Sequence, residues 1–262
     1  MSDQLVKMLN SYGYQPVFLP KTGLVPPELY NFDAHKLIRL GPLESCIKDS
    51  VKFQPTEGKL GSISGQVTSG KNIKAAVGFL NKALSLLGIS NLPSFDISVA
   101  GTHDFVFSFA DVTYKSVDPI QLDSILQGLT LPLAIPTAYV ASDAMHIAYE
   151  YAYSSTLMMS RADGNQFSGD MKLAFQDVIN LNPQLSLDVK NKTTVTFQTT
   201  GNILPAFAYK AGQLKKEGTH WTFKPEIVVK GFAGVAASQP YLPAYGVVLE
   251  VEEEKKAVAA GT

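Results

Sequence analysis

Apolar residues recur at helical spacing in three stretches. Residues 3–11 put Leu5, Met8 and Leu9 on one face, with Gly13 as a stop. Residues 72–89 align Ile73, Val77, Leu80, Leu84 and Leu87 in a basic amphipathic helix. Leu122, Ile125, Leu126 and Leu129 predict a short helix over 118–129. Elsewhere the period is two. Phe105, Phe107 and Phe109 alternate with smaller residues, as do Ile147, Tyr149, Tyr151 and Tyr153. Leu185, Leu187 and Val189, then Val195 and Phe197, alternate with polar residues. Phe207 and Tyr209, followed by Trp221 and Phe223, predict two late strands. Tyr14–Pro20 and Phe95–Ala100 read as short extended runs, and Lys36–Ile47 as a strand-turn unit around Gly41-Pro42. Gly58–Gly70, rich in glycine, serine and threonine, reads as a flexible, weakly specified segment. The sum is an α+β chain with a mostly antiparallel sheet, in one domain with a short tail.

Composition narrows the function classes. The 262 residues are 45 % hydrophobic and only 17 % charged, ample for a folded core. A net charge of −1 gives no electrostatic footprint for nucleic acid, which is not expected as a partner. The start of the chain lacks an export signal, so a cytoplasmic location is expected. Two uncharged stretches, Ser124–Ser142 and Gly231–Leu249, are each broken by two prolines and scattered polar residues, so neither reads as a spanning helix.

Enzymatic chemistry finds no foothold. Gly65–Asn72 approximates a phosphate-binding loop, but Asn72 stands where a magnesium-ligating hydroxyl belongs, and a glycine-serine loop before a helix explains the run. His35, His103, His146 and His220 fall into no metal or catalytic motif, and there is no G-x-S-x-G elbow. Cys46, the one cysteine, sits between Leu43 and Ile47 and is expected to be a buried thiol. No enzyme, cofactor or metal is expected.

A membrane reading has more to work with. A spanning β-strand needs about 9–11 residues alternating between lipid and water. Met145–Leu157 and Leu185–Thr199 both alternate over such a length. In the first, Tyr149, Tyr151 and Tyr153 are expected to share the lipid face, so Tyr151→Asp is expected to block insertion while sparing the water-soluble fold. A half-buried strand of an ordinary sheet makes the same pattern, and the alternation leaves both readings open.

Three longer patterns go further. Gly13–Pro20 with Val25–Tyr30 and Leu40–Leu43, then Phe105–Val112 with Ser116–Asp118 and Leu122–Leu126, then Gly201–Ala211, together resemble the gasdermin family, most closely its short bacterial members. The resemblance covers most of residues 1–225 and rests on order and spacing. It implies a latent pore former in residues 1–230, held inactive by an autoinhibitory segment, residues 231–262. Proteolysis then permits assembly into a large homo-oligomeric β-barrel at the inner membrane, causing cell death in antiphage defence.

The partners so implied are anionic membrane lipid, an activating protease and further copies of the chain. Gly58–Ala100 would supply one hairpin. Tyr139–Phe197 would hold the second, with lipid-facing Ile147, Tyr149, Tyr151, Tyr153, Leu185, Leu187, Val189, Val195 and Phe197, and Arg161–Asn165 as a polar tip. In the tail, Tyr241, Leu242, Tyr245, Val247 and Val248 are candidate inhibitory anchors. Lys230, Leu242, Ala244 and Leu249 are candidate cleavage positions; no aspartate follows Asp188, which excludes a cut after aspartate in the tail. The chain departs from the family in having no cysteine near its start to carry an acyl group. Activation by a partner without cleavage, and a non-membrane binding module, are the alternative readings.

Overall fold

The computed structural model describes residues 4–17, 23–33, 36–47, 51–68, 74–89, 104–128, 145–190, 193–201, 204–226 and 249–250. Helix α1 (Gln4–Ser11) buries Leu5, Met8 and Leu9, as their spacing dictates, and ends at Gly13 with a positive φ of 80°. Strand β1 (Gln15–Pro16) leads to a hairpin, β2 (Glu28–Asp33) and β3 (Lys36–Pro42), followed by a 3-10 turn over Leu43–Cys46. Then come β4 (Thr56–Thr68), α2 (Lys74–Leu86), β5 (Asp104–Ser116) and α3 (Pro119–Gly128). Strands β6 (Met145–Tyr153) and β7 (Thr156–Arg161) precede α4 (Gly169–Leu181) and the hairpin β8 (Leu185–Lys190) and β9 (Thr194–Thr199). A second hairpin, β10 (Ala206–Glu217) with β11 (His220–Pro225), and the two-residue β12 (Leu249–Glu250) follow.

All twelve strands belong to one antiparallel sheet ordered β12-β3-β2-β6-β5-β7-β9-β8; β4 pairs with β5, β10 with β6, and β1 and β11 with β10. Two strands organise it. β5 carries β4 along one edge and, in succession, β7 and β6 along the other. β6 carries β10 on one edge and β2 then β5 on the other. The sheet therefore has a body around β6 and an arm around the first half of β5.

Three buried clusters follow this division. The largest packs α1, α2 and α4 against the arm, around Phe105, Phe107, Phe109 and Phe197. The second sets α3 against β6 and β11, around Leu122, Leu126, Ile147, Trp221 and Phe223. The third joins Val17, Leu24, Tyr30, Tyr151, Tyr153 and Tyr209.

Two expectations are corrected. Gly58–Gly70 is not loose chain: residues 56–68 form β4, with Ile63 and Val67 buried. Its glycines serve close approach. A Cβ on Gly58 would lie 2.4 Å from the Tyr114 ring, and one on Gly65 would lie 2.6 Å from Met8 Cγ. Met145–Leu157 is not one strand either, since pairing breaks at Ser154-Ser155 and the chain resumes as β7. Phe95–Ala100 lies outside the described residues.

Candidate pore-forming regions

Two segments lie folded on the arm. The first runs from the second half of β4 through α2 to the first half of β5; the second comprises β7, α4, β8 and β9. Aromatic rings fasten both to the sheet. Phe79 of α2 tilts over Phe107 with ring centroids 4.4 Å apart. Phe167 stacks on Phe105 at 6.5 Å and meets Phe175 of α4 edge-on at 5.5 Å, and Phe175 meets Phe197 edge-on at 5.6 Å. Such pairs contribute roughly 0.5–1.5 kcal/mol beyond the area they bury. The turn at the end of β7 is closed by Arg161, whose guanidinium donates to the Asp163 carboxylate (Nε to Oδ1 3.0 Å), while Ala162 N–H donates to the Asp104 carbonyl.

The residues expected to face lipid are distributed over all three clusters. Leu185, Val195 and Phe197 are buried in the arm, Leu187 packs against them, and Val189 is exposed. Ile147 and Tyr149 belong to the second cluster, Tyr149 meeting Phe223 edge-on at 5.8 Å, whereas Tyr151 and Tyr153 belong to the third. In this fold, therefore, Tyr149 does not share a face with Tyr151 and Tyr153. A bulge is the cause: Lys210 pairs with Glu150 and Ala211 with Ala148, so Tyr149 is an extra residue that inverts the alternation.

Tyr151 is fully buried and sits in a polar cluster that sequence reasoning missed. Its hydroxyl lies 2.9 Å from that of Tyr30 and donates to Glu28 Oε2 at 3.2 Å. Arg39 clamps the same carboxylate through Nε, at 2.6 Å, and through a second guanidinium nitrogen. Tyr151→Asp is therefore expected to disturb this fold, because it sets a second carboxylate beside buried Glu28. Tyr153 Oη donates to the Leu24 carbonyl at 2.7 Å.

The alternating pattern and the two helix-bearing segments take on meaning from known proteins. The sequence profile of the Bacterial Gasdermin Family matches residues 17–221. A bacterial gasdermin of Piscinibacter sakaiensis is 36 % identical over 255 residues, 96 % of each chain. The chain belongs to the bacterial gasdermin family. A second gasdermin, from Lysobacter enzymogenes, is 25 % identical over 81 % of this chain and 80 % of its own. The solved structure of a bacterial gasdermin from Bradyrhizobium tropiciagri has the same fold, with a TM-score of 0.50 and 11 % identity over 86 % of this chain and 92 % of that one. Membership makes the chain a pore-forming protein and not an enzyme, of the class activated by proteolysis to kill the cell in defence, through membrane binding and oligomerisation.

In this gasdermin the sheet body is bolted at a second point. Tyr14 Oη donates to Glu150, Lys210 Nζ pairs with the same carboxylate at 2.8 Å, and Lys210 stands 4.5 Å over the Tyr14 ring. Burial, reinforced by the Glu150 carboxylate, pushes the Tyr14 phenol far above its ordinary range; burial and Glu28 push Tyr30 the same way. Desolvation opposes the charge on Arg39, but the Glu28 carboxylate more than offsets it and raises the guanidinium pKa.

The gasdermin tail is described at one place only. Leu249 and Glu250 pair antiparallel with Leu37 and Lys36, so β12 lies on the outer edge of β3 at its first two residues. Lys230, Tyr241, Leu242, Ala244, Tyr245, Val247 and Val248 lie outside the described residues. Among the described residues, no three metal-ligating side chains converge, and no helix is long and apolar enough to cross a membrane. His146 pairs with Glu226 at 3.2 Å, and Cys46 is buried with its thiol pKa raised by desolvation. Of the phosphate-loop look-alike, Gly65–Thr68 lies in β4 as strand; His35 and His103 lie outside the described residues.

Proposed function

We propose that residues 231–262 are the autoinhibitory segment of this gasdermin and residues 1–230 its pore-forming domain. A protease cutting within 231–249 frees the domain to bind anionic lipid at the inner membrane and to assemble there with further copies. The observation that carries this reading is the pairing of β12 on β3: the end of the chain occupies a sheet edge that is otherwise a ready template for another strand. Charge acts in the same direction. Residues 250–256 hold four glutamates and two lysines, so their loss takes the chain from a net −1 to net positive. The apolar residues from Leu185 to Phe197, together with β7 and the arm strands, supply the membrane-facing side once the aromatic contacts to α2 and α4 are given up. A closed ring is required for this, because unpaired strand edges are too costly in lipid.

The test is dye release from anionic liposomes. Full-length protein is expected to leave vesicles intact, and protein cut between residues 235 and 249 to empty them. Leakage by neither form, across cut positions and lipid compositions, would refute the proteolytic trigger.

A further inference from the structure

Where β4 begins, the sheet carries an open cleft of about 630 Å³, a size that suits a small molecule. Its floor is the paired start of β4 and end of β5, with Glu57 opposite Lys115 and Lys59 opposite Thr113. Its walls are Leu24 and Val25 from the approach to β2, Tyr153 at the end of β6, and Leu204 just before β10. Helix α1 meets β4 elsewhere, at Ser64 and Gly65, so the cleft is separate from the start of the chain.

The walls ask for an apolar occupant. The Tyr153 hydroxyl is already spent on the Leu24 carbonyl, and burial, with the Glu28 and Glu57 carboxylates, pushes that phenol up, so it stays neutral. Val25 and Leu204 are left 44 % and 38 % exposed over the same recess. The floor asks for a negative charge. Lys115 Nζ pairs with Glu57 Oε1 at 2.6 Å, whereas Lys59 has no carboxylate partner among the described residues. Two ammonium groups against one carboxylate leave a surplus of one positive charge. Glu28, which acts on Tyr153 from the buried side, is itself clamped by Arg39. A surplus of one matches a single anionic group; a polyphosphate would bring in charge with no counterpart. Because cation and apolar walls share one recess, head and body must enter together, which a lipid anchored in a bilayer by its chains does not do.

We propose that this cleft binds a compact organic anion, one carboxylate or phosphate on an apolar body, with the head on Lys59 and the body against Val25, Leu204 and Tyr153. Four stretches far apart in sequence then touch one molecule: the approach to β2, the start of β4, the end of β5 and the approach to β10. A ligand held only by this arrangement stabilises the fold that creates it, in proportion to its concentration over its Kd.

The probe is 4-phenylbutyrate, with 4-phenylbutylamine as its cationic counterpart, added to the full chain without lipid. Saturation-transfer NMR is expected to detect binding of the carboxylate and not of the amine. Lys59→Glu is expected to weaken that binding several-fold. Lys216→Glu, the same charge change on exposed β10, is expected to leave it unchanged. Glu57→Gln enlarges the positive surplus and is expected to tighten binding several-fold. Melting temperatures without probe, equal to wild type for all three, show that the variants are folded. Equal binding of the anion and the amine, or of the anion to wild type and Lys59→Glu, overturns the site. So does weaker flotation of Lys59→Glu with anionic liposomes when 4-phenylbutyrate binds neither protein, because the head then belongs to a membrane lipid. None of these readouts involves leakage, so the site stands or falls independently of the proteolytic trigger.

Discussion

Tyr14 shows how one hydroxyl couples distant parts of the chain. It sits just past α1, and its bond to Glu150, shared with Lys210, ties the start of the chain to β6 and β10. Tyr14→Phe keeps the ring over which Lys210 stands but removes the donor, and is expected to cost about 1.5–3 kcal/mol at neutral pH, measured by urea denaturation. The phenol pKa is raised in the folded protein, so folding favours the protonated form. That contribution is complete below about pH 10 and is lost as pH rises past it, by up to about 1.4 kcal/mol per pH unit for each such phenol. Wild type is therefore expected to lose stability steeply above pH 10, and Tyr14→Phe with a shallower slope. None of this was visible in the sequence. The alternating tyrosines of β6 looked like a lipid-facing row because a bulge at Tyr149 carries no residue signature, and the partners Glu28, Arg39 and Tyr14 are far away in sequence.

Among the elements, α1, α2, α3 and most strands were legible because their apolar period matched the face they bury. Three were not. β4 hid behind its glycines, which read as loop but admit the Tyr114 ring and Met8 against the backbone. The break between β6 and β7 falls at Ser154-Ser155, without the glycine or proline that would announce it. Helix α4 escaped notice because exposed Leu173 and Leu181 blur the row of Met171, Phe175 and Val178. Its start was readable: Ser168 caps it, accepting from Met171 N–H at 3.3 Å. Ser168→Ala is expected to cost about 0.5–2 kcal/mol and to raise hydrogen exchange in residues 169–181 before the rest of the protein responds.

For the whole molecule, the order of segments along the chain was enough to place it among the gasdermins, and the profile match over residues 17–221 agrees. The two apolar segments were roughly located too. Their limits were not, since limits depend on strand register, which only pairing partners reveal. The tail matters at this scale because, among the described residues, β12 is the one neighbour on the outer side of β3. Removal of residues 249–262 is expected to leave the monomer folded but to make it self-associate as its concentration rises, read by analytical ultracentrifugation without lipid. A strictly monomeric truncated protein would show that the β3 edge takes no part in assembly.

Among the described residues the seam between β12 and β3 consists of two pairs, Leu249 with Leu37 and Glu250 with Lys36, and a seam of that length holds while its two sides are one molecule. Tethered, the terminal residues face β3 at an effective concentration in the millimolar range; severed, they are an ordinary solute that drifts away on dilution. On the proposed reading, a broken peptide bond anywhere between residues 231 and 249 is expected to have this same result, whichever side chains flank it. Vigilance would thereby be delegated: if the tail restrains the domain as proposed, enzymes of unrelated specificity are expected to raise the same alarm.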